Sequence, residues 1–517
     1  LLNEAPQVYE FRVRLPRGEH RFAAAFVNDF ADPENKNPNL RDRNLLIDHL
    51  EIAAIAEPAQ LPPRPAPMQR FFTDAATPRP AAGVAGFIAR MTGHESPVPL
   101  PAAQARELIG AFARRAWRRP VTTLEVDELL RLYTTASAAG DSFESGVKLA
   151  LQAVLISPYF LFRGDVLDGT SPTVAAANTP VTARPIGETA LASRLSYFLW
   201  STMPDEELLD LAARGALRKN LEPEVRRMLA SPKAQALIEN FAGQWLEIRN
   251  LKFIAPDKEL FPRFDESLRS AMRQETEAFF DYIVRQDRSV LDFLTADYTF
   301  VNERLAEHYG LSGITGEDFR RVSLAGTPRR GVLTHASILT ITSNPTRTSP
   351  VKRGKWVLES LLGTPPPPPP PNVPDLPNDG KPVTGTLRQQ LEQHRANPTC
   401  ASCHARMDPI GFGLENFDAV GAYRTRDGEF PVDASGKLVT GETFVSATEL
   451  GGILGDRRRD NFTRTLAEKL LTYALGRGLE RYDRPAVDRI VQDLGAGEYR
   501  FSSLVLAITR SVPFDQQ

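Results

Sequence analysis

The sequence predicts a mainly α, multidomain protein with a truncated, jelly-roll-like β-sandwich at its N-terminus, followed by helical bundles. Apolar and polar residues alternate within residues 1–57, which is typical of β-strands. From Ala102 onward, apolar residues recur every three or four positions, as they do in amphipathic helices. Proline-rich stretches separate these segments. At 517 residues the chain is too long for one hydrophobic core, so we expect several domains.

The charge balance limits the classes of partner. Lys and Arg number 62 and Asp and Glu number 64, so we expect no nucleic-acid partner. No apolar run reaches the roughly 18 residues of a membrane-spanning helix, so we expect no transmembrane segment in this chain. The chain begins at Leu1 without a methionine or a signal peptide, and we therefore expect a fragment or a processed form.

Residues 1–57 contain three predicted strands, with a polar loop between the second and the third. The stretch resembles the last strands of a calcium-dependent carbohydrate-binding β-sandwich. The resemblance implies a polysaccharide partner and a Ca²⁺ site formed by carboxylate and amide oxygens of the loop. The matching positions are Asn28, Asp29, Asp42 and Asn44. An alternative interpretation is that these residues only form turns, which Asn and Asp also favour.

Two predicted helical domains follow a linker. Residues 58–100 are rich in Pro and Ala and lack clear periodicity, which indicates a connection. Residues 101–165 and 183–310 carry apolar stripes at helical spacing, so each is predicted to be a helical domain. Helix ends are signalled by Pro120, which cannot continue a helix, and by Thr122 or Thr123, either of which can cap the next one.

The motif Cys400-Ala401-Ser402-Cys403-His404 is the attachment signature of a c-type haem. The two thiols of such a motif bond covalently to the porphyrin, and the adjacent imidazole is the proximal ligand of the iron. Cys400 and Cys403 are the only cysteines of the chain. A redox dithiol and half of a zinc site are the alternatives. The first would favour a thioredoxin-like setting and the second another pair of ligands at close spacing, and neither is apparent.

The predicted haem-c module spans residues 325–424 and includes a stiff spacer. Residues 365–371 are seven consecutive prolines, which favour a polyproline II helix of roughly 20 Å. After the motif, glycines alternate with apolar residues from Pro409 to Leu414, and the glycines allow close backbone approach. Residues 440–515 are predicted to form a C-terminal helical domain. Together these segments predict one covalent haem c in a cytochrome-c-like helical module.

The second axial ligand of the iron is predicted to be a remote histidine or to be absent. Met407 lies only three residues after His404, so a continuous helix would place it on the same side of the haem. We therefore predict that Met407 is not a ligand. The candidate distal histidines are His308, His335 and His394, and each has an alternative role as an ordinary structural or surface residue.

Several motifs outside the haem signature resemble those of the planctomycete-type c-cytochrome multidomain family, over nearly the whole chain. They lie at 118–121, 157–160, 195–201, 302–310, 347–354, 400–418 and 470–477. The resemblance implies several helical domains of unknown function around a haem-c module, with a carbohydrate-binding-like β-sandwich upstream. Members of the family are usually longer, with an export signal and often a further cytochrome domain.

The leading functional hypothesis is an exported c-type cytochrome that transfers electrons to or from a redox partner protein. Covalent haem attachment normally occurs outside the cytoplasm, so we expect a periplasmic or cell-surface location. One alternative is a haem-dependent peroxidase or oxidoreductase that acts on an organic or polysaccharide-derived substrate, which an open iron site would favour. Another is a cell-surface glycan-binding or scaffold protein. The sequence contains no phosphate-binding loop, nucleophile elbow or dinucleotide-binding fingerprint that would point to another reaction.

Overall fold

The computed structural model describes residues 102–162, 184–367, 386–395 and 398–516, and this part of the chain is mainly helical. The mainly α prediction is therefore confirmed. The predicted β-sandwich at 1–57 and the linker at 58–100 lie outside the described residues. No helix in the described ranges has both the length and the apolar character that crossing a membrane requires.

The first helical segment contains three helices that pack on one another and a short fourth one. They are α1 (Ala102–Trp117), α2 (Thr123–Ala138), α3 (Phe143–Ile156) and α4 (Pro158–Leu161). Thr122 caps α2 in a capping box with Glu125, because its hydroxyl accepts from the Glu125 backbone N–H while the Glu125 carboxylate accepts from that of Thr122. Of the two predicted caps, Thr122 is thus the one used. α1 ends at Trp117, before Pro120, as the sequence indicates.

The next segment is also helical and contains a π-helical insertion. Its helices are α5 (Glu188–Trp200), α6 (Glu206–Ala213), α7 (Leu221–Ala230), α8 (Gln235–Leu237) and α9 (Gly243–Trp245). A π-helical turn, Ile238–Ala242, joins α8 to α9. Asp205 caps α6, and acidic residues fill its first turn, where the helix dipole favours negative charge.

A long helix and a β-hairpin follow. α10 (Glu266–Arg285) is capped by Asp265, and the short α11 (Asp292–Thr295) leads into strand β1 (Tyr298–Val301). β1 pairs antiparallel with β2 (Arg320–Ser323), with Tyr298 opposite Ser323. In the sequence, α12 (Glu303–Tyr309) connects the two strands. β1 lies within residues 183–310, which the sequence predicts as helical only, and β2 lies between two predicted domains. Asn302 caps α12, and Gly310 ends it with a φ of 71°.

The described residues around the haem motif form four α-helices. They are α13 (Ala336–Ile341), α14 (Pro350–Trp356), α15 (Leu387–His394) and α16 (Pro398–Phe412). A second π-helical turn, Val357–Leu361, extends α14. Two small hairpins follow α16: β3 (Arg426–Asp427) with β4 (Phe430–Pro431), and β5 (Gly436–Lys437) with β6 (Thr443–Phe444).

The C-terminal segment completes the main core. Its helices are α17 (Ala447–Asp456), α18 (Arg459–Leu475), α19 (Arg484–Ala496), α20 (Phe501–Thr509) and α21 (Val512–Asp515). Buried residues from Ile186 to Phe514 belong to one continuous hydrophobic cluster. At its centre the Trp245 ring contacts the rings of Phe241, Phe280 and Phe293. Residues far apart in the sequence therefore share one core.

Candidate haem-attachment site

A single helix carries the whole haem motif. α16 begins at Pro398 and continues to Phe412, so it includes Cys400, Cys403 and His404. Cys403 and His404 follow Cys400 by three and four positions, a spacing that returns to the same face of a helix. The side chain of Cys403 is partly buried and packs against the main core. α16 is thus anchored in the fold at the motif itself.

Two glycines allow α14 and α16 to cross with their backbones in contact. A Cβ on Gly354 of α14 would overlap the carbonyl oxygen of Met407, three residues after His404. A Cβ on Gly411 of α16 would overlap the carbonyl oxygen of Pro350 at the start of α14. Because backbone atoms cannot move aside as a flexible side chain can, only glycine fits at either position. The crossing fixes α16 immediately after the haem motif.

A buried arginine reinforces this crossing. The Arg353 side chain, on α14, is 0% exposed, and its guanidinium donates to the carbonyl oxygens of Leu414, Phe417 and Asp418 at 2.7, 2.8 and 2.6 Å. It also donates to the Glu415 carboxylate at 3.1 Å. The chain just beyond α16 is therefore held to α14 by charge-assisted hydrogen bonds, which are stronger than neutral ones.

The residues just before α14 complete the same unit. Ser349 caps α14, with Pro350 at its first position, which explains the Ser-Pro pair of that motif. The Thr348 hydroxyl donates to Glu415 at 2.7 Å, and Arg424 donates to the same carboxylate at 3.1 Å. The motif at 347–354 and the second half of the motif at 400–418 thus form one structural unit that positions the haem-motif helix.

The imidazole of His404 is oriented by a buried carboxylate. Its Nδ1 lies 2.9 Å from Oδ1 of Asp408, one helical turn further along α16. The Asp408 side chain is 0% exposed. When Nδ1–H donates to this carboxylate, the lone pair of the ring is on Nε2. A histidine that binds a metal through one ring nitrogen commonly donates a hydrogen bond from the other nitrogen in this way.

The residues of the motif fit a covalently bound haem. The spacing of the two cysteines suits two thioether bonds, and the hydrogen bond to Asp408 favours the His404 tautomer in which Nε2 would bind the iron. The close crossing of α14 and α16 also holds the motif helix in place, as a ligand helix requires. The chemistry that haem c would supply here is one-electron transfer at iron.

His308, one of the candidate distal ligands, is part of a contact between α12 and the chain after α16. Its Nε2–H donates to the carbonyl oxygen of Val420 at 2.8 Å. Burial lowers the pKa of His308 to about 4, so the ring is neutral at neutral pH. The structure thus gives His308 a role in connecting two segments, and its role as a distal ligand stays a prediction.

His335, a second candidate, lies in a buried polar cluster around Glu275 of α10. The Glu275 carboxylate is 0% exposed and accepts hydrogen bonds from Thr299 at 2.7 Å and from Tyr309 at 2.5 Å. His335 Nδ1 lies 3.0 Å from the Thr276 hydroxyl, and its Nε2 lies 4.0 Å from Glu275 Oε1. Among the described residues, Nε2 has no hydrogen-bond partner.

Burial changes the protonation of this cluster. It raises the pKa of Glu275 to about 7, although the hydrogen bonds from Tyr309 and Thr299 act in the opposite direction. Burial, and then the positive charge of Arg329, lower the pKa of His335 to about 3. The Arg329 guanidinium lies over the Tyr309 ring, 3.6 Å from its centroid. Sequence reasoning missed this cluster, because a Glu within a helix rich in charged residues is expected on the solvent-facing side.

The remaining predictions concern His394, Met407 and the calcium ligands. His394 is the last residue of α15, which packs against α16, and its side chain lies outside the described residues. Met407 is buried in α16, which continues past it, as the argument against its being a ligand assumes. The predicted calcium ligands Asn28, Asp29, Asp42 and Asn44 lie outside the described residues.

Four protein-family models match successive segments of the chain, and each is described as a protein of unknown function. They are DUF1595 at residues 104–165, DUF1592 at 186–311, DUF1588 at 329–427 and DUF1585 at 440–514. The matches cover more than two thirds of the chain, and the DUF1588 segment contains the haem motif. The chain carries four domains of the planctomycete cytochrome-like multidomain family.

The presence of these four domains is consistent with the resemblance found in the sequence and with the mainly helical structure. The domains are associated with cytochrome-c-like proteins, while their own function is unassigned. Searches of curated proteins and of solved structures gave no match. Evidence for the activity of this chain therefore comes from its own residues.

Proposed function

We propose that the chain is a c-type cytochrome that carries one covalent haem and transfers single electrons. Cys400 and Cys403 would form the thioether bonds, and His404 would bind the iron through Nε2. The observation that carries this proposal is the His404–Asp408 hydrogen bond of 2.9 Å on the helix that holds the complete attachment motif. A buried carboxylate that orients this imidazole is expected of a metal ligand and has no evident purpose in a redox dithiol.

The surrounding residues would hold the haem-binding helix in one position. The Gly354 and Gly411 contacts and the Arg353 hydrogen bonds fix α16 against α14, which would keep His404 in one position when a bound haem is oxidised or reduced. A small change of geometry between redox states favours fast electron transfer. The chemistry of covalent haem attachment favours an exported protein at the periplasm or cell surface, where a redox partner protein would be met.

A second candidate function is a haem-dependent peroxidase or oxidoreductase. The same His404–Asp408 contact favours it, because a carboxylate partner makes the imidazole a stronger electron donor, and an electron-rich iron activates peroxide better. A distal site without a ligand would be required. The candidate glycan-binding role depends on residues 1–57 and stays a prediction, as do the polysaccharide partner and Ca²⁺.

The test is to produce the protein together with a haem-c maturation system and to record its spectra. We expect a haem spectrum that survives denaturation in the parent and is reduced or altered in Cys403→Ser. Two cysteines that titrate as thiols, with no bound haem, would contradict the proposal. Low-spin iron with no peroxide turnover favours electron transfer, whereas high-spin iron with turnover favours the second candidate.

A further inference from the structure

The contact between His404 and Asp408 differs from a neutral hydrogen bond in that the acceptor is an anion. Asp408 Oδ1 lies 2.9 Å from Nδ1, and the carboxylate has no solvent exposure, so water does not screen its charge. Its second oxygen, Oδ2, accepts no hydrogen bond from the described residues. The charge of Asp408 is therefore directed mainly at the imidazole.

Arg395 is a cation near this carboxylate. Arg395 Nε, just after α15, is 3.6 Å from Oδ2, which is an ion-pair distance without a hydrogen bond. Arg395 also approaches Glu392 of α15 at 3.6 Å, so its charge is shared between two carboxylates. Asp408 thus forms an ion pair with Arg395 through Oδ2, while its hydrogen bond, through Oδ1, is with His404.

The position of Asp408 is fixed by the main chain. It follows Met407, whose carbonyl oxygen contacts Gly354, and precedes Gly411, which contacts Pro350. Asp408 is thus held between the two contact points of the α14–α16 crossing. A carboxylate in such a fixed position imposes both the tautomer and the ring orientation of His404.

We infer that Asp408 is a positioning residue that lowers the reduction potential of the haem by making His404 a more electron-rich ligand. The inference rests on the proposed function and extends it. A histidine that shares its Nδ1 proton with an anion has partial imidazolate character, which stabilises ferric over ferrous iron. Hydrogen bonding around the ligand is one of the means by which a protein tunes a haem, and here Asp408 is the group that supplies it.

The test compares the midpoint potentials of the haem-loaded parent, Asp408→Asn and Glu392→Gln. Asp408→Asn keeps the size of the side chain and removes its charge. We expect it to favour reduction about tenfold, which corresponds to about 59 mV for a one-electron couple. Glu392→Gln is the matched control, because it also removes a negative charge near Arg395 but does not contact His404. It should shift the potential much less.

The outcomes are distinguishable. If the parent binds no haem, the proposed function fails, and this inference fails with it. If the parent binds haem but Asp408→Asn and Glu392→Gln have the same potential, only the role of Asp408 is contradicted. If Asp408→Asn does not take up haem, spectra of the haem-loaded parent test the inference instead.

Resonance Raman of five-coordinate ferrous iron, or EPR of low-spin ferric iron, reports the state of the axial ligand. An imidazolate-like histidine supports the inference, and a neutral one overturns it.

Discussion

Glu275 is a carboxyl group without solvent exposure, and its pKa of about 7 lies above the ordinary value of 4.5. Because the folded state binds this proton more tightly than the unfolded state does, the stabilisation is fully present below pH 4.5. It is lost as the pH rises through about 7. A shift of this size corresponds to a free energy on the order of 3 kcal/mol. His308 and His335 have lowered pKa values and therefore act in the opposite direction, losing stability as the pH falls below about 6.5.

We predict that Glu275→Gln gains stability relative to the parent as the pH rises from 4.5 to 8. The amide stays neutral, whereas the parent must bury a charge at the higher pH. The measurement is urea unfolding at both pH values, and taking the difference between the two proteins removes the contribution of the histidines. Glu266→Gln, an exposed position on the same helix, should change stability by less than about 1 kcal/mol at either pH. If the difference in unfolding free energy between Glu275→Gln and the parent does not vary with pH, the folded state does not bind the Glu275 proton more tightly than the unfolded state.

Met407 is buried in the main hydrophobic core, and its backbone packs against Gly354. We predict that Met407→Ala destabilises the fold by about 2–5 kcal/mol, the usual range for truncating a buried side chain. The haem spectrum should remain unchanged, because Met407 is not expected to bind iron. An iron–sulfur charge-transfer band in the parent that disappears in Met407→Ala would contradict this prediction.

At the scale of elements, the α14–α16 crossing depends on two positions without a Cβ. We predict that Gly354→Ala destabilises the fold by about 3 kcal/mol and lowers the yield of haem-loaded protein, because the added methyl group would overlap the Met407 carbonyl oxygen. Thermal unfolding and haem content measure the two effects.

Gly452→Ala is the matched control for this prediction. Gly452 also lies within a helix, α17, but a Cβ there meets no atom within 4 Å. The substitution should be neutral or slightly stabilising, since alanine lowers the entropy of the unfolded chain. Equal stability of the two variants would mean that the helices do not cross as closely as described.

At the scale of the whole molecule, the segments matched at 186–311, 329–427 and 440–514 share one hydrophobic core. We predict that they unfold together, because loosening one exposes apolar surface of the others. In scanning calorimetry, this part of the chain should give one transition with equal calorimetric and van't Hoff enthalpies. Separate transitions for the three segments would contradict a shared core.

Local features of this molecule could be predicted because they depend on nearby residues. The apolar spacing in 188–200 and the Thr122 cap predict α5 and the start of α2. The attachment motif likewise needs only five consecutive residues. The β1–β2 hairpin could not be predicted, because α12 separates its two strands and each has only four residues.

Contacts between distant residues could not be predicted either. Nothing near Glu275 in the sequence shows that Thr299 and Tyr309 will bury it, and nothing near Arg353 indicates the carbonyls that it binds. For His404, the partner Asp408 is on the same helix, so the i to i+4 spacing was available as a signal.

Denaturing mass spectrometry can show whether Cys400 and Cys403 attach one haem covalently. The protein should be produced with a haem-c maturation system, unfolded, and digested. We predict that the intact chain gains the mass of one haem, and that the added mass is found on the peptide that contains both cysteines. The double variant Cys400→Ser with Cys403→Ser should lack it. An unmodified peptide with two alkylatable thiols in the matured parent would contradict the account.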